Sequence, residues 1–177
     1  MMFDMKVMAP VSAEQLSLAV FYVAEGLYGI DIMKIKEVIY SHPYKVRTVP
    51  HAPPMIEGVI ELRGVVVPVM DLRERLELGV SLEARATSKY VVVSVSGKIL
   101  ALRVDRILGE VRISPESVRP SPALLDGGGQ HATKFFGGVA RVDEGLIFVL
   151  NLDGLAELGG ELASSSGRRA SGGKGPS

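Results

Sequence analysis

The chain has no cysteine. That excludes a disulfide framework, a thiolate nucleophile and a Cys-ligated metal, and it fits a reducing compartment. Histidine is scarce, with only His42, His51 and His131, and none stands at a metal-ligand spacing such as His-x-x-x-His. His42 and His51 lie in Pro-rich loops, where a solvated ring is the ordinary state. Net charge is absent as well: 20 Lys and Arg balance 20 Asp and Glu, so the chain has no bulk pull toward nucleic acid or anionic membrane. Aromatic residues make up 6% of the sequence, which leaves little for base-stacking platforms. No apolar run reaches the ~18 residues of a membrane-spanning helix, and residues 1–14 lack the basic start and apolar stretch of a signal peptide. Gly-x-Ser-x-Gly and P-loop patterns are missing. The run Gly127-Gly128-Gly129 lacks the flanking strand and helix that a phosphate site needs. Asp71, Asp105 and Asp153 sit beside cap or turn signals, where carboxylates serve structure. No catalytic constellation assembles, so the chain reads as a binding module rather than an enzyme.

What is present is aliphatic. Hydrophobic residues form 47% of the chain, enough for a real core. They cluster in short Val- and Ile-rich runs: Leu18–Val23, Tyr28–Ile32, Val59–Leu62, Val65–Met70, Tyr90–Val95, Ile99–Val104 and Leu146–Leu150. Gly and Pro punctuate them, which predicts mainly β structure, sandwich or barrel. Several runs are apolar on both faces, as expected of barrel walls packed from inside and outside. Asp71 to Leu76 carries a helix N-cap with Glu74 three residues on, a capping-box pattern. Asn151 can cap Leu152 to Leu158, and Ser114-Pro115 can start a helical turn. Asp31 to Ile39 is compatible with either a helix or a bent strand. A weak internal echo runs through the chain. Val20-Phe21-Tyr22-Val23 matches Val92-Val93-Ser94-Val95 at an offset of 72 residues (20 to 92). Gly58-Val59 and Met70-Asp71-Leu72 match Gly138-Val139 and Leu150-Asn151-Leu152 at an offset of 80 (58 to 138). Each half then carries a hairpin, a strand, a long loop, a Gly-Val hairpin and a capped helical turn. The expected fold is two similar small barrels side by side, with a binding surface on or between them. The expected layout is an N-terminal arm over residues 1–16, a folded unit over 17–158, and a disordered Gly/Ser-rich tail over 159–177. Within the folded unit, one barrel would span about 17–85, the second about 86–145, with a C-terminal segment over 146–158.

The most unusual stretch is Gly58 to Val69. Period two puts Ile60 and Leu62 on one face and Val59, Glu61 and Arg63 on the other. Arg63-Gly64 falls where the first strand turns into the second. An Arg held there can grip a partner's carboxylate with its planar fork, or stay solvated, or pair with Glu61.

These residues carry a resemblance. Tyr28-Gly29-Ile30-Asp31-Ile32 with Lys34 to Ile39, the approach from Val49-Pro50 to Gly58-Val59, and Leu62-Arg63-Gly64 with Val67-Pro68-Val69-Met70-Asp71-Leu72-Arg73 are similar to the ordered motifs of the CheW family of chemotaxis adaptors. Leu102 to Ile107 and Val118 to Pro122 resemble the family's second half, and the match runs from about Leu18 to Leu158. One position departs: Glu61 stands where the family usually has Asn. The resemblance implies two SH3-like five-stranded barrels with short capping helices, and neither catalysis nor a cofactor. It implies a cytoplasmic protein in receptor arrays under the inner membrane. There it would bridge the cytoplasmic hairpin tip of a chemoreceptor to the regulatory domain of the histidine kinase CheA, with the tip in a groove between the barrels. The family pattern carries the partner-binding region onto Ile35, Glu37, Gly58, Arg63 and Gly64; their neighbours Val38 and Glu61 are added to it. Ile35 and Val38 would supply apolar burial, and Glu37 and Arg63 charge pairs with a partner. A scaffold of the same type in a different receptor–kinase pathway remains an alternative. So do a nucleic-acid-binding barrel, a hydrolase with an unrecognised site, and an adaptor fused to a regulator, though the last has no room in this chain.

Overall fold

The tight turns show first how this chain folds. At the hairpin tips Ala24, Arg63 and Ser96 take left-handed backbone, and Gly64 and Gly97 follow Arg63 and Ser96 in the same region. That geometry matches the right-handed twist of paired strands. The computed structural model describes residues 14–120 and 134–157. Most of the expected arm, the Gly-rich segment around Gly127, His131 and the whole expected tail therefore lie outside the described residues.

Strands β1 (Leu16–Val23) and β2 (Gly26–Asp31) form the first hairpin. A single 3-10 turn at Ile32–Lys34, capped by the Asp31 carboxylate on the Met33 amide, leads into β3 (Ile35–Tyr40). The ambiguous stretch Asp31–Ile39 is thus a turn followed by a strand. Next come β4 (Ile56–Leu62), β5 (Val65–Asp71), α1 (Leu72–Arg75) and α2 (Leu82–Ala86). The second half holds β6 (Lys89–Val95), β7 (Lys98–Val104), β8 (Arg106–Ile113), β9 (Phe136–Val142), β10 (Gly145–Leu150) and α3 (Leu152–Leu155). Asp71 caps α1 by accepting from the Arg73 amide at 2.9 Å. The expected capping box stays half-made, because the Asp71 amide donates to the Met55 carbonyl and leaves none for Glu74. Asn151 caps α3 from the equivalent place, and its amide donates to the Phe135 carbonyl.

The strands build two five-stranded sheets, in the orders β8-β1-β2-β10-β9 and β3-β6-β7-β5-β4. They form two SH3-like barrels, here called barrel A and barrel B. The internal echo is structural: β1, β2 and β3 recur as β6, β7 and β8, and β4, β5 and α1 recur as β9, β10 and α3. Substituting each strand by its counterpart turns one sheet order into the other. The parallel pairs β2–β10 and β5–β7 occupy the same place in each.

The expected cut at residues 85/86 does not follow the sheets. Barrel B is continuous from β3 to β7, whereas barrel A joins the N-terminal hairpin to β8, β9 and β10. The reason lies in the parallel pairs. Parallel neighbours need a long crossover, so the first hairpin of each repeat is completed by the β strands of the other repeat. A linear cut at the repeat boundary therefore splits barrel B.

The double-faced strands have two cores to serve. Along β6, Tyr90 and Val92 face the interior of barrel B with Ile60, Leu62, Val67 and Val69. Val91, Val93 and Val95 face the other way, into a shared core with Phe21, Val23, Ile30, Leu102 and Val104. A third cluster, including Leu18, Val20, Ile113 and Ile147, fills barrel A. The shared core fixes one barrel against the other and leaves a groove at its margin.

Candidate functional site

The first region is the open side of barrel B, where edge strands β3 and β4 face each other. Alternation along β3 turns Ile35, Glu37 and Ile39 inward and leaves Lys36, Val38 and Tyr40 exposed. Ile39 packs on the barrel B core and Ile35 on the shared core. Glu37 sits opposite the β4–β5 tip, and both of its oxygens accept from the Arg63 guanidinium at 2.6 Å. The Arg63 fork therefore grips a carboxylate of its own chain. Within the chain Arg63 pairs with Glu37 rather than Glu61, and its guanidinium stays largely exposed. The hydrogen bond from Arg63 is the main reason the Glu37 carboxyl titrates below its ordinary range. Charge-assisted, bidentate geometry makes the pair a strong closure for its exposure.

Around this clamp lie exposed apolar residues: Val38 and Tyr40 on β3, and Val65 and Val66 past the Arg63-Gly64 turn. Glu61 is exposed opposite Val66 in the β4–β5 ladder. It lines a shallow cleft of about 350 Å³ with Tyr44, Lys45 and Arg47, so the departing acid stands among cations. Gly58 is buried. A Cβ there would run into the Arg47 carbonyl, which bonds the Val59 amide at 2.9 Å. Ile35 and Gly58 thus hold the fold, while Val38, Glu61 and the clamp define a surface.

The second region is a groove of about 690 Å³ between barrel B and α3. Its apolar lining comes from Ile56 and Pro68 of barrel B's second hairpin, Val95, Ile99 and Leu100 of the β6–β7 hairpin, and Ala156 just past α3. Lys98, Asp153 and Glu157 stand at its edge, and Lys34 reaches Asp153 at 3.9 Å. No local motif marks this groove, because its walls come from three distant segments.

A third feature escaped the sequence reading as well. Arg103, almost fully buried, donates to Glu57 at 2.7 Å, Ser88 at 2.6 Å and Tyr90 at 2.9 Å. Arg85 of α2 then bridges Glu57 at 3.1 Å to Asp71 at 2.7 Å. Alternating signs satisfy each buried charge, and the chain ties β7, β4, α2 and the α1 cap together. Among the described residues, no group of three or more His, Asp or Glu could hold a metal ion, and no helix is long and apolar enough to cross a membrane.

Comparison with known proteins agrees with this architecture. The CheW-like domain model matches residues 17–159. The chemotaxis protein CheW of Treponema pallidum (strain Nichols) is 32% identical over 145 residues, covering 80% of this chain and 82% of that protein. CheW of Bacillus subtilis (strain 168) is 44% identical over 105 residues, covering 59% and 65%. The crystal structure of the scaffolding protein TtCheW from Thermoanaerobacter tengcongensis superposes with a TM-score of 0.72 at 31% identity, covering 83% of this chain and 96% of that one. With the same double-barrel fold and a match over nearly all of the described residues, the chain belongs to the CheW-like family and is a chemotaxis adaptor.

Proposed function

We propose that the protein bridges the helical cytoplasmic tip of a chemoreceptor to the regulatory domain of the kinase CheA, by contact alone. The observation that supports this reading is two separate surface regions on one molecule: the apolar groove between barrel B and α3 and the exposed apolar rim around the Arg63–Glu37 clamp. The groove suits a helix of the receptor tip, which would lay an apolar stripe into it. The rim suits a second barrel, with Val38, Val65 and Val66 for burial, Glu61 for charge selection, and the Arg63-Gly64 turn for shape. Such apolar contacts contribute about 25 cal/mol per Å² buried, while exposed ion pairs add ~0–1 kcal/mol and chiefly set specificity. Single contacts of this kind are weak, and an array multiplies them through multivalency. The protein would thus act in the cytoplasm beneath the receptor membrane, passing the signal by shifting the populations of kinase states.

The test is co-sedimentation of the chain with a receptor cytoplasmic fragment and with the CheA regulatory domain. Arg63→Glu sets two acids against each other at the rim and distorts it. The expected outcome is loss of one partner with the other retained and the melting curve cooperative. Undiminished binding of both partners would remove Arg63 and its rim from the site.

A further inference from the structure

The repeat gives the molecule two equivalent grooves: the first, of about 690 Å³, is open down to its apolar floor, while the second keeps only an outer cleft of about 540 Å³ lined by Val23, Ala24, Gly26, Tyr28 and Arg73. Four apolar walls of the open groove have counterparts at the equivalent positions of the other half. Leu100 corresponds to Tyr28, Ile56 to Phe136, Pro68 to Phe148, and Ala156 to Leu76. In each case the residue of the second groove is larger. Its three rings pack on one another: Tyr28 and Phe148 at 5.9 Å between centroids, Phe136 and Phe148 at 5.5 Å, Tyr28 and Phe136 at 6.3 Å. Tyr28 is buried, and Phe136, Phe148 and Leu76 pack against the shared core.

The mouths differ in the same sense. At the second groove Arg73 of α1 holds Asp105 at 2.7 Å, and Asp105 also accepts the amide of Ala24 in the β1–β2 turn at 2.7 Å. The counterparts of Arg73 and Ala24 are Asp153 and Ser96, which share an exposed contact of 3.3 Å, with Lys34 meeting Asp153 at 3.9 Å. In one copy the inner apolar space is filled by rings beneath an outer cleft, and in the other the same positions carry smaller aliphatic residues that leave the space open.

We infer that Tyr28, Phe136 and Phe148 are an internal plug that restricts the adaptor to one receptor site, and that the plug is a template for what the open groove receives. This rests on the bridging reading above. The same backbone positions surround both spaces, so the space vacated between Leu100, Ile56 and Pro68 is one that clustered bulky apolar side chains fill. The occupant is an apolar stripe on a helix of the receptor tip, offering two or three large side chains one turn apart. Helical side chains at positions i, i+3 and i+4 cluster at that scale.

The test moves the plug. In the full chain, Ile56→Phe with Leu100→Tyr places two of the rings in the open groove, at positions where this fold already carries them. Ala156→Leu is a milder variant on the groove's far wall. Binding of a receptor cytoplasmic fragment and of the CheA regulatory domain is measured by calorimetry, with melting curves for each variant. A double variant that melts cooperatively, binds the receptor fragment about thirty-fold more weakly, as when an interface loses a buried anchor, and keeps the kinase domain bears the inference out. Ala156→Leu should weaken the same partner by less. Undiminished receptor binding overturns it. So does loss of both partners, which would deny the groove its selectivity, and so does failure of both variants to fold, which would deny the equivalence of the two spaces. Should the native chain bind neither partner, the bridging reading itself fails before any variant is made.

Discussion

Glu37 and Arg63 show how a residue pair can be half-legible in sequence. The hairpin signal at Arg63-Gly64 puts the guanidinium outside the core, and an outward Arg with an unassigned carboxylate partner looks like a docking group. The structure supplies the carboxylate from β3, 26 positions away in sequence, a distance that no local pattern encodes. The pair makes a signed prediction. A carboxyl whose folded pKa is depressed contributes stability that is present above its ordinary titration range and lost as pH falls through the depressed value. Denaturant unfolding followed from neutral pH into the acid range should therefore show this component in the native chain and lose it in Arg63→Ala. A native-like acid profile in that variant would show that Glu37 draws its low pKa from elsewhere. Arg63 is too exposed for the pair to dominate global stability.

Among the elements, the strands were the most legible, because period-two alternation and the turn residues are local signals. Ile60 and Leu62 face inward as the alternation requires. The stretches β8 and β9 were harder. β8 mixes Arg106, Glu110 and Arg112 with its apolar residues, and β9 is interrupted by Gly137 and Gly138. Gly138 is explained by its surroundings: a Cβ there would press on Val118 and the Arg119 carbonyl, as at Gly58 in the other half. Helix α2 was not foreseen, since five residues carry too little periodicity. Its anchor is the buried ionic chain through Arg85 and Arg103. Arg103→Met should cost about 3 kcal/mol, near the low end of ~3–5 kcal/mol for breaking a buried pair, because Glu57 keeps Arg85. Chemical denaturation measures this, and hydrogen exchange should show the amides of α2 and the α1 cap opening first. A stability change below about 1 kcal/mol would mean that apolar packing alone holds α2 in place.

At the scale of the molecule, the echo foretold two barrels and the division of labour among hairpins, but not which hairpin joins which barrel. Sequence offsets reveal repeated units; they carry no trace of the parallel pairs β2–β10 and β5–β7 that interlock them. The groove escaped for the same reason. The interlock and the shared core predict a single unfolding transition. Leu102→Ala, in that core, should destabilise by about 2–5 kcal/mol, and the exchange of β4 and β9 amides should accelerate together. Two separate transitions would mean that the barrels stand independently.

The discontinuity of barrel A also sets a timetable for the nascent chain. Barrel B has all its strands once residue 104 has been made, while β1 and β2, synthesised earlier, still lack β8, β9 and β10. Until the ribosome has delivered Leu150, the aliphatic side chains of Leu18, Val20 and Leu27 have no barrel around them. The first hairpin of this fold is thus among the last of its elements to be sheltered, and during that interval it is open to a chaperone or to another unfinished copy.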